Sequence, residues 1–98
     1  MRKGYMYILT NYSRTTFYTG VTSNLGRRLQ QHREGTGSKF VEKYKCKYLV
    51  YCEECARIVD AIVREKQLKN WHREWKIRLI KSVNPEMRDL SEDISWHR

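Results

Sequence analysis

Two runs of alternating apolar and polar residues open the chain and predict a β-hairpin. Residues 5–11 and 16–22 alternate aromatic or aliphatic side chains with small polar ones, which is the period of a half-buried strand. The polar residues 11–15 between them supply a turn. The two strands are therefore expected to pair antiparallel.

A helix and a polar loop are predicted after the hairpin. Ser23 or Thr22 is expected to cap a helix that ends at about Arg33, just before two glycines. Residues 36–47 are polar and lysine-rich, which indicates a loop, with room for one helical turn at 39–44.

The second half of the chain predicts one more strand and two helices. An apolar run at 48–52 indicates a third strand, and apolar residues at helical spacing cover 55–70. A further helix at 71–82 is expected to stop before Pro85. The expected fold is α/β in the broad sense (α+β), a small three-stranded antiparallel sheet flanked by helices.

The size and charge of the chain narrow the class of protein. Its 98 residues and formal net charge of +9 fit one small domain, assigned to 1–90, with a short tail at 91–98. We expect no membrane span. The N-terminus lacks the apolar segment of a secretory signal, so a cytoplasmic protein with reduced cysteines is expected.

Basic residues are concentrated where the tyrosines of the hairpin lie. The first 33 residues contain no aspartate or glutamate, and a second basic stretch follows at 64–81. A polyanion such as nucleic acid is the expected partner, bound through its phosphates and with strong salt dependence. The alternative for the second stretch is a well-solvated helix face. The candidate phosphate contacts are Arg14, Arg27, Arg33 and Lys69.

Each strand of the predicted hairpin carries a tyrosine-containing tripeptide. The first has Tyr-Met-Tyr at 5–7, the second has Tyr-Thr-Gly at 18–20, and Arg28 follows ten residues after Tyr18. This arrangement resembles the GIY-YIG nuclease domain over most of the chain, and most of all its small stand-alone bacterial members. The glycine of the first tripeptide is replaced, whereas both tyrosines and the second glycine remain.

The resemblance assigns roles to the two tyrosines at the catalytic positions. Tyr18 is expected to help activate the attacking water, and Tyr7 to orient water or phosphate. A phenol with a pKa near 10 is about a thousandth ionised at neutral pH, a penalty of roughly 4 kcal/mol. Nearby arginines and a metal ion are expected to favour the phenolate. The residues alone are also typical of a packing pair in a hairpin.

Three further residues complete the implied site. Arg28 is expected to stabilise charge on the phosphate, with Arg27 as the competing candidate. His32, one helical turn later, is either a proton acceptor or a helix-end histidine facing solvent or phosphate. Asn84 corresponds to an asparagine that braces the site in the family, although Asn before Pro is also an ordinary helix stop.

Glu65 falls on the apolar stripe of the predicted helix at 55–70, three residues after Ile62 and three before Leu68. A carboxylate there is costly unless it is paired or bound to a metal. The resemblance implies that Glu65 is the single protein ligand of a divalent cation. One carboxylate with waters and substrate phosphate suits Mg2+, or Mn2+ in its place. The alternative is an ion pair with a neighbouring lysine or arginine.

These residues together predict a metal-dependent endonuclease that hydrolyses DNA. We expect cleavage of one strand at a branched, flapped or damaged structure, low sequence specificity, and a role in repair or recombination, with branched or single-stranded DNA as the partner. Two alternatives stay open: a nucleic-acid-binding module with little or no turnover, and an accessory protein of a larger repair assembly whose other proteins the sequence does not identify.

Two residue types are assigned structural roles. A zinc site at Cys46, Cys52 and Cys55 is disfavoured, because a second ligand pair at the required spacing is missing. Tryptophans at three positions are predicted to pack on the fold or cover a helix: Trp71, Trp75 and Trp96. The alternative is that an exposed tryptophan on a basic helix stacks on single-stranded nucleic acid.

Overall fold

A three-stranded antiparallel sheet forms the centre of the protein. The computed structural model describes residues 2–93. Its elements in chain order are β1 Gly4–Thr10, β2 Phe17–Thr22, α1 Leu25–Arg33, α2 Lys39–Tyr44, β3 Tyr48–Cys55, α3 Ile58–Lys69, α4 Arg73–Val83 and a short 3-10 turn at Ser91–Asp93. The predicted α+β fold, a three-stranded sheet flanked by helices, is confirmed.

The sheet has the order β2-β1-β3, so the first strand lies in the middle. Tyr7 on β1 lies opposite Gly20 on β2 and opposite Cys52 on β3. The pairing of β1 with β3 shifts register between Ile8 and Leu9, as at a β-bulge. The predicted hairpin is therefore confirmed.

The central strand is buried on both faces, which divides the interior into two clusters. Successive side chains of β1 point to opposite faces. We call one cluster the apolar face; it contains Met6, Ile8, Val50, Tyr51, Leu68, Ile80 and Met87. We call the other the tyrosine face; it contains Tyr7, Leu9, Leu25, Leu29, Val41, Cys46 and Leu49.

The cap of α1 differs from the prediction. Asn24, rather than Ser23 or Thr22, caps the helix, and its Oδ1 accepts a hydrogen bond from the backbone N–H of Arg27 at 3.0 Å. The Thr22 hydroxyl instead accepts from the backbone N–H of Asn24 at 3.1 Å. Thr22 thus orients the residue that makes the cap. Gly35, with φ of 81°, follows the helix as predicted.

The third strand is longer than predicted, and α3 begins later. β3 continues through the two glutamates to Cys55, because Glu53 and Glu54 still pair with β1. Arg64 on α3 donates two hydrogen bonds to the Glu53 carboxylate, at 3.0 and 3.1 Å. This bidentate pair stabilises a polar strand end that residue preferences do not favour. The helical turn at 39–44 is present as α2.

The segment after α4 packs along β3. The backbone N–H of Leu90 donates to the carbonyl of Leu49 at 2.7 Å, and the N–H of Leu49 donates to the Asp89 carboxylate at 3.1 Å. Ser91, the first residue of the predicted tail, is buried, and Arg33 donates to its hydroxyl. The described part of the tail therefore contacts α1. No helix within residues 2–93 is long and apolar enough to cross a bilayer.

Candidate active site

Tyr7, Tyr18 and His32 meet on the tyrosine face. The Tyr7 hydroxyl and His32 Nε2 are hydrogen-bonded at 2.9 Å. The ring centroids of Tyr7 and Tyr18 are 6.3 Å apart, and those of Tyr18 and His32 are 5.6 Å apart. Tyr7 is 1% exposed and His32 is 2% exposed, whereas Tyr18 is only partly buried. Tyr18 is therefore the more solvent-accessible of the two phenols.

Helix α1 carries His32 to this position. Leu25, Leu29 and His32 form its buried stripe, at the spacing of one helix face. His32 lies one helical turn after Arg28 in α1, as predicted. Because His32 is buried, the alternative of a histidine that faces solvent is wrong.

Two glycines make room for the hydrogen-bonded pair. A Cβ at Gly20 would lie 2.5 Å from both Cζ and the hydroxyl oxygen of Tyr7, and one at Gly37 would lie 2.6 Å from His32 Nδ1. Both distances are too short for a side chain to fit without displacing the ring. The shape of the site thus depends on these two backbone positions as well as on its side chains.

Burial sets the charge state of the pair. It raises the pKa of Tyr7, although the Arg28 guanidinium opposes the rise. It also lowers the pKa of His32 to about 4, assisted by the positive charges of Arg28 and Lys47. Both side chains are therefore neutral at pH 7. The Arg28 charge favours phenolate at Tyr7, as expected, but burial has the larger effect and keeps the phenol protonated.

Of the two candidate arginines, Arg28 lies near the pair. Its charge acts on both Tyr7 and His32, and its Nη1 is 3.5 Å from the Gly37 carbonyl oxygen. Arg27 is exposed and lines a separate cleft of about 390 Å³ together with Arg33.

Glu65 is buried on α3, as its place on the apolar stripe predicts. The residue is 8% exposed, and its Oε2 lies 2.5 Å from the Nζ of Lys69, one helical turn later. The Lys69 side chain is 54% exposed, so its ammonium meets solvent as well as the carboxylate. The ion pair that was the alternative for Glu65 is therefore present. The Glu65 charge also contributes to the raised pKa of Tyr7, which connects α3 to the tyrosines.

The donor set around Glu65 fits one kind of metal. The described residues contain no group of three or more His, Cys, Asp or Glu side chains placed to hold an ion. The protein would supply one buried carboxylate. This fits Mg2+, which keeps several waters and takes further oxygens from substrate phosphates, better than zinc, which requires a closed set of protein ligands.

Asn84 and Arg14 make their contacts elsewhere. The Asn84 amide donates to the carbonyls of Val50 and Arg88 at 3.1 and 2.9 Å, so it braces β3 and the turn after α4. Its side-chain bonds do not reach Tyr7. Arg14 donates to the Met87 carbonyl at 3.1 Å within the fold. A catalytic role for Asn84 and a phosphate contact at Arg14 stay predictions.

Lys47 is a residue of the site that sequence reasoning missed. Its Nζ donates to the carbonyls of His32 and Arg33 at 2.9 and 3.2 Å and to Glu42 at 3.0 Å. It therefore closes the C-terminal end of α1 directly behind the histidine. One lysine among several in a polar loop carries no signal in the sequence that distinguishes it from its neighbours.

The cysteines and tryptophans fall into different classes. Cys46, Cys52 and Cys55 are free thiols, and burial raises the pKa of each. Trp71 packs against the apolar face as predicted. Trp75 is 51% exposed and contacts Trp71 edge-on, with ring centroids 6.1 Å apart, so it covers the helix surface rather than entering the core. Trp96 lies outside the described residues.

Known proteins share both the sequence pattern and the fold. A family model described as the GIY-YIG catalytic domain matches residues 3–78. A UPF0213 protein of Syntrophus aciditrophicus is 40% identical over 87 residues, which are 88% of this chain and 98% of that protein. A UPF0213 protein of Staphylococcus haemolyticus is 32% identical over 80 residues, 82% of this chain and 96% of the relative.

A solved structure is similar over nearly the whole chain. The solution NMR structure of the UPF0213 protein BH0048 from Bacillus halodurans matches with a TM-score of 0.57 and 24% sequence identity. The match covers 92% of this chain and 95% of that one. At this identity the likeness concerns the fold.

Proposed function

Because this chain belongs to the GIY-YIG family of nucleases, we propose that it is a metal-dependent endonuclease acting on DNA. The observation that carries the proposal is that several predicted site residues act on one phenol, that of Tyr7. Tyr7 is hydrogen-bonded to His32, and its pKa responds to Tyr18, Arg28 and Glu65. Four of the predicted site residues therefore act on a single hydroxyl, whereas a module that only binds phosphates needs no buried carboxylate among its cations.

Tyr7 is proposed to act as a hydrogen-bond donor. His32 Nδ1 is buried without a hydrogen-bond partner among the described residues. A buried N–H without a partner is rarer than an unsatisfied acceptor, which favours the tautomer with the proton on Nε2. His32 then donates to the Tyr7 oxygen, and the Tyr7 hydroxyl hydrogen is left to donate to a phosphate oxygen or to water.

Tyr18 is proposed to activate the attacking water. It is the more exposed of the two phenols, and its ring lies beside both Tyr7 and His32. Arg28, near the same groups, is placed to stabilise negative charge on the phosphate as the bond to water forms. Water attack, stabilisation of the phosphate and hydrogen bonding to it are thereby divided among three side chains.

Glu65 is proposed to hold the divalent cation. When bound, Mg2+ would neutralise phosphate charge and lower the pKa of a bound water. Lys69 occupies one oxygen of Glu65 in the described arrangement, so its ammonium would have to give way. Because that side chain is half exposed, it can move into solvent at little cost.

The test compares Glu65→Gln with the matched control Lys69→Gln. Labelled linear, flap, junction and single-stranded DNA are incubated with Mg2+, Mn2+ or chelator, and the thermal shift on adding metal is measured in parallel. Glu65→Gln is expected to abolish cleavage and the metal-induced shift while DNA binding persists or tightens. Lys69→Gln leaves the carboxylate in place, so it is expected to keep the metal-induced shift and to keep metal-dependent cleavage, reduced only as far as the loss of one phosphate contact weakens DNA binding. Full Mg2+-dependent cleavage by Glu65→Gln would contradict the proposal.

The ion pair itself favours a second candidate function. A Glu65–Lys69 pair 2.5 Å apart is what a binding module without turnover would also keep. In that case no substrate of the panel is cut with either metal, and wild-type protein shows no metal-induced shift. A place in repair or recombination rests on the resemblance, and the cytoplasmic location rests on the sequence pattern; both remain proposals.

A further inference from the structure

A second cleft lies between the start of β2 and the start of α4. It has a volume of about 350 Å³. It differs from the tyrosine site in composition, since it holds no carboxylate and combines two cations with two aromatic rings and two hydroxyls. We call it the β2–α4 cleft; its lining is Thr15, Thr16, Phe17, Trp71, Arg73 and Lys76.

The two cations of the β2–α4 cleft have no acidic partner. Within residues 2–93, neither Arg73 nor Lys76 forms an ion pair with a carboxylate. Burial lowers the pKa of Lys76, and the nearby positive charge of Lys69 lowers it further. Neighbouring positive charges repel each other, and an anion bound between them reduces this repulsion.

Aromatic surface adjoins these charges. The Arg73 guanidinium lies 5.7 Å from the ring centroid of Phe17, and Trp71 is only partly buried beside it. Single-stranded nucleic acid is recognised by this combination, in which cations neutralise the backbone while bases stack on aromatic rings or on arginine. Paired bases inside a duplex cannot present their faces in this way.

The β2–α4 cleft is next to the proposed catalytic site along the edge of the sheet. Phe17 precedes Tyr18 on β2, which is an edge strand. Neighbouring residues of a strand point to opposite faces. Lys69 provides a second connection, because it pairs with Glu65 and its charge reaches Lys76. A strand leaving the catalytic site across β2 would therefore enter the cleft.

We propose that the β2–α4 cleft binds an unpaired segment of nucleic acid that adjoins the bond to be cut. Arg73 and Lys76 contact its phosphates, and a base stacks against Phe17 or Trp71. This inference rests on the proposed function, since it names the part of the substrate that the same protein holds. It accounts for a preference for flapped or single-stranded substrates by a contact that blunt duplex lacks.

The first experiment uses two double variants with the same change in net charge. Arg73→Gln with Lys76→Gln alters the cleft, whereas Lys66→Gln on α3 with Lys81→Gln on α4 alters exposed lysines that do not line it. Affinity for a labelled single-stranded oligonucleotide is measured against salt concentration. The cleft variant should lose at least about tenfold in affinity and reduce the salt slope by about one to two.

The control and the comparison of substrates decide the outcome. The control variant should lose less than about threefold, and blunt duplex should be affected less than the single strand in the cleft variant. Equal losses in both variants would overturn the inference, because general charge would then explain the binding. Cleavage by wild-type protein in that case would leave the proposed nuclease function standing.

The second experiment does not depend on a variant that folds. Wild-type protein is photocrosslinked to an oligonucleotide containing 5-iodouracil, and the attached peptide is identified by mass spectrometry. Attachment at Phe17 or Trp71 is expected. Attachment only at other positions, or none under conditions of saturated binding, would contradict the proposal. Crosslinking at Phe17 without cleavage of any substrate would support binding at the β2–α4 cleft and contradict the proposed nuclease activity.

Discussion

The two faces of the sheet share the central strand β1 but differ in what the burial of its side chains does. On the apolar face, Met6 and Ile8 of β1 pack against hydrocarbon from α3 and α4. On the tyrosine face, Tyr7 lies in an equally buried position, but its hydroxyl forms a hydrogen bond with His32. Burial on the first face mainly stabilises the fold, whereas on the second it fixes the protonation of two titratable groups.

The difference shows how a domain of this size can hold a buried polar site. Burying a phenol and an imidazole costs free energy that their single hydrogen bond only partly offsets. The cost is tolerable because the opposite face of the same strand is packed with apolar side chains that carry no such cost. Substitutions on the two faces should therefore separate loss of stability from loss of activity.

The largest effect is expected on the apolar face. Leu68 is fully buried against Met6 and its neighbours, so Leu68→Ala should lower the free energy of unfolding by about 2–5 kcal/mol through lost burial and a residual cavity. Chemical denaturation measures this change. Cleavage at a temperature where the variant remains folded should be close to wild type. Loss of cleavage without loss of stability would break the division between the faces.

A smaller effect on stability but a large one on catalysis is expected for Tyr7→Phe. The ring stays and only the hydroxyl leaves, which strands His32 Nε2 and costs about 1–3 kcal/mol. Cleavage should fall by about 100-fold or more, since the donor to the phosphate is removed. The same denaturation series and single-turnover cleavage measure both. Unchanged cleavage by a folded Tyr7→Phe protein would show that the phenol only packs.

A third effect is a dependence of stability on pH. His32 has a pKa of about 4 in the folded protein, against about 6.5 when unfolded. As the pH falls from about 6.5 to 4, the unfolded chain takes up a proton that the folded one does not, so stability should decrease. In a plot of the free energy of unfolding against pH, His32→Gln should reduce the slope in this range. The reduction corresponds to a difference of up to about one bound proton between the unfolded and folded states.

The exposed His72 supplies the control for that measurement. His72→Gln removes an exposed histidine that directly precedes α4, so it measures how far the loss of a histidine outside the interior changes the slope. A slope equally reduced by both substitutions would mean that the burial of His32 has no part in the effect.

The elements of the fold could be predicted from the sequence where one periodic pattern decides them. Alternation gave the hairpin of β1 and β2, and helical spacing placed Glu65 on a buried stripe. The end of β3 could not be predicted in this way, because Glu53 is held there by Arg64, eleven residues further on. The cap of α1 was misassigned because three consecutive residues, 22–24, all have cap-forming side chains.

Some residues that meet at the candidate site were named from the sequence, whereas their geometry was not. Spacing and resemblance named Tyr7 and His32 separately, yet their hydrogen bond joins residues 25 positions apart and depends on the space left by Gly20 and Gly37. The raised pKa of Tyr7 follows from burial of its side chain in the folded protein, which no local pattern reports. Lys47 was missed for the same reason.

The close approach of Gly20 to Tyr7 has a consequence for how such a chain can change over generations. A side chain at position 20 collides with the phenol, so any mutation there is harmful for as long as position 7 keeps its ring. Substitutions at the two positions are therefore coupled, and their order is constrained. Tyr7 must first be replaced by a smaller residue before Gly20 can be replaced by a larger one. Met6, by contrast, faces the apolar core and can drift among residues of similar volume. A descendant that no longer used the phenol would record that loss first at position 7 and only later at position 20.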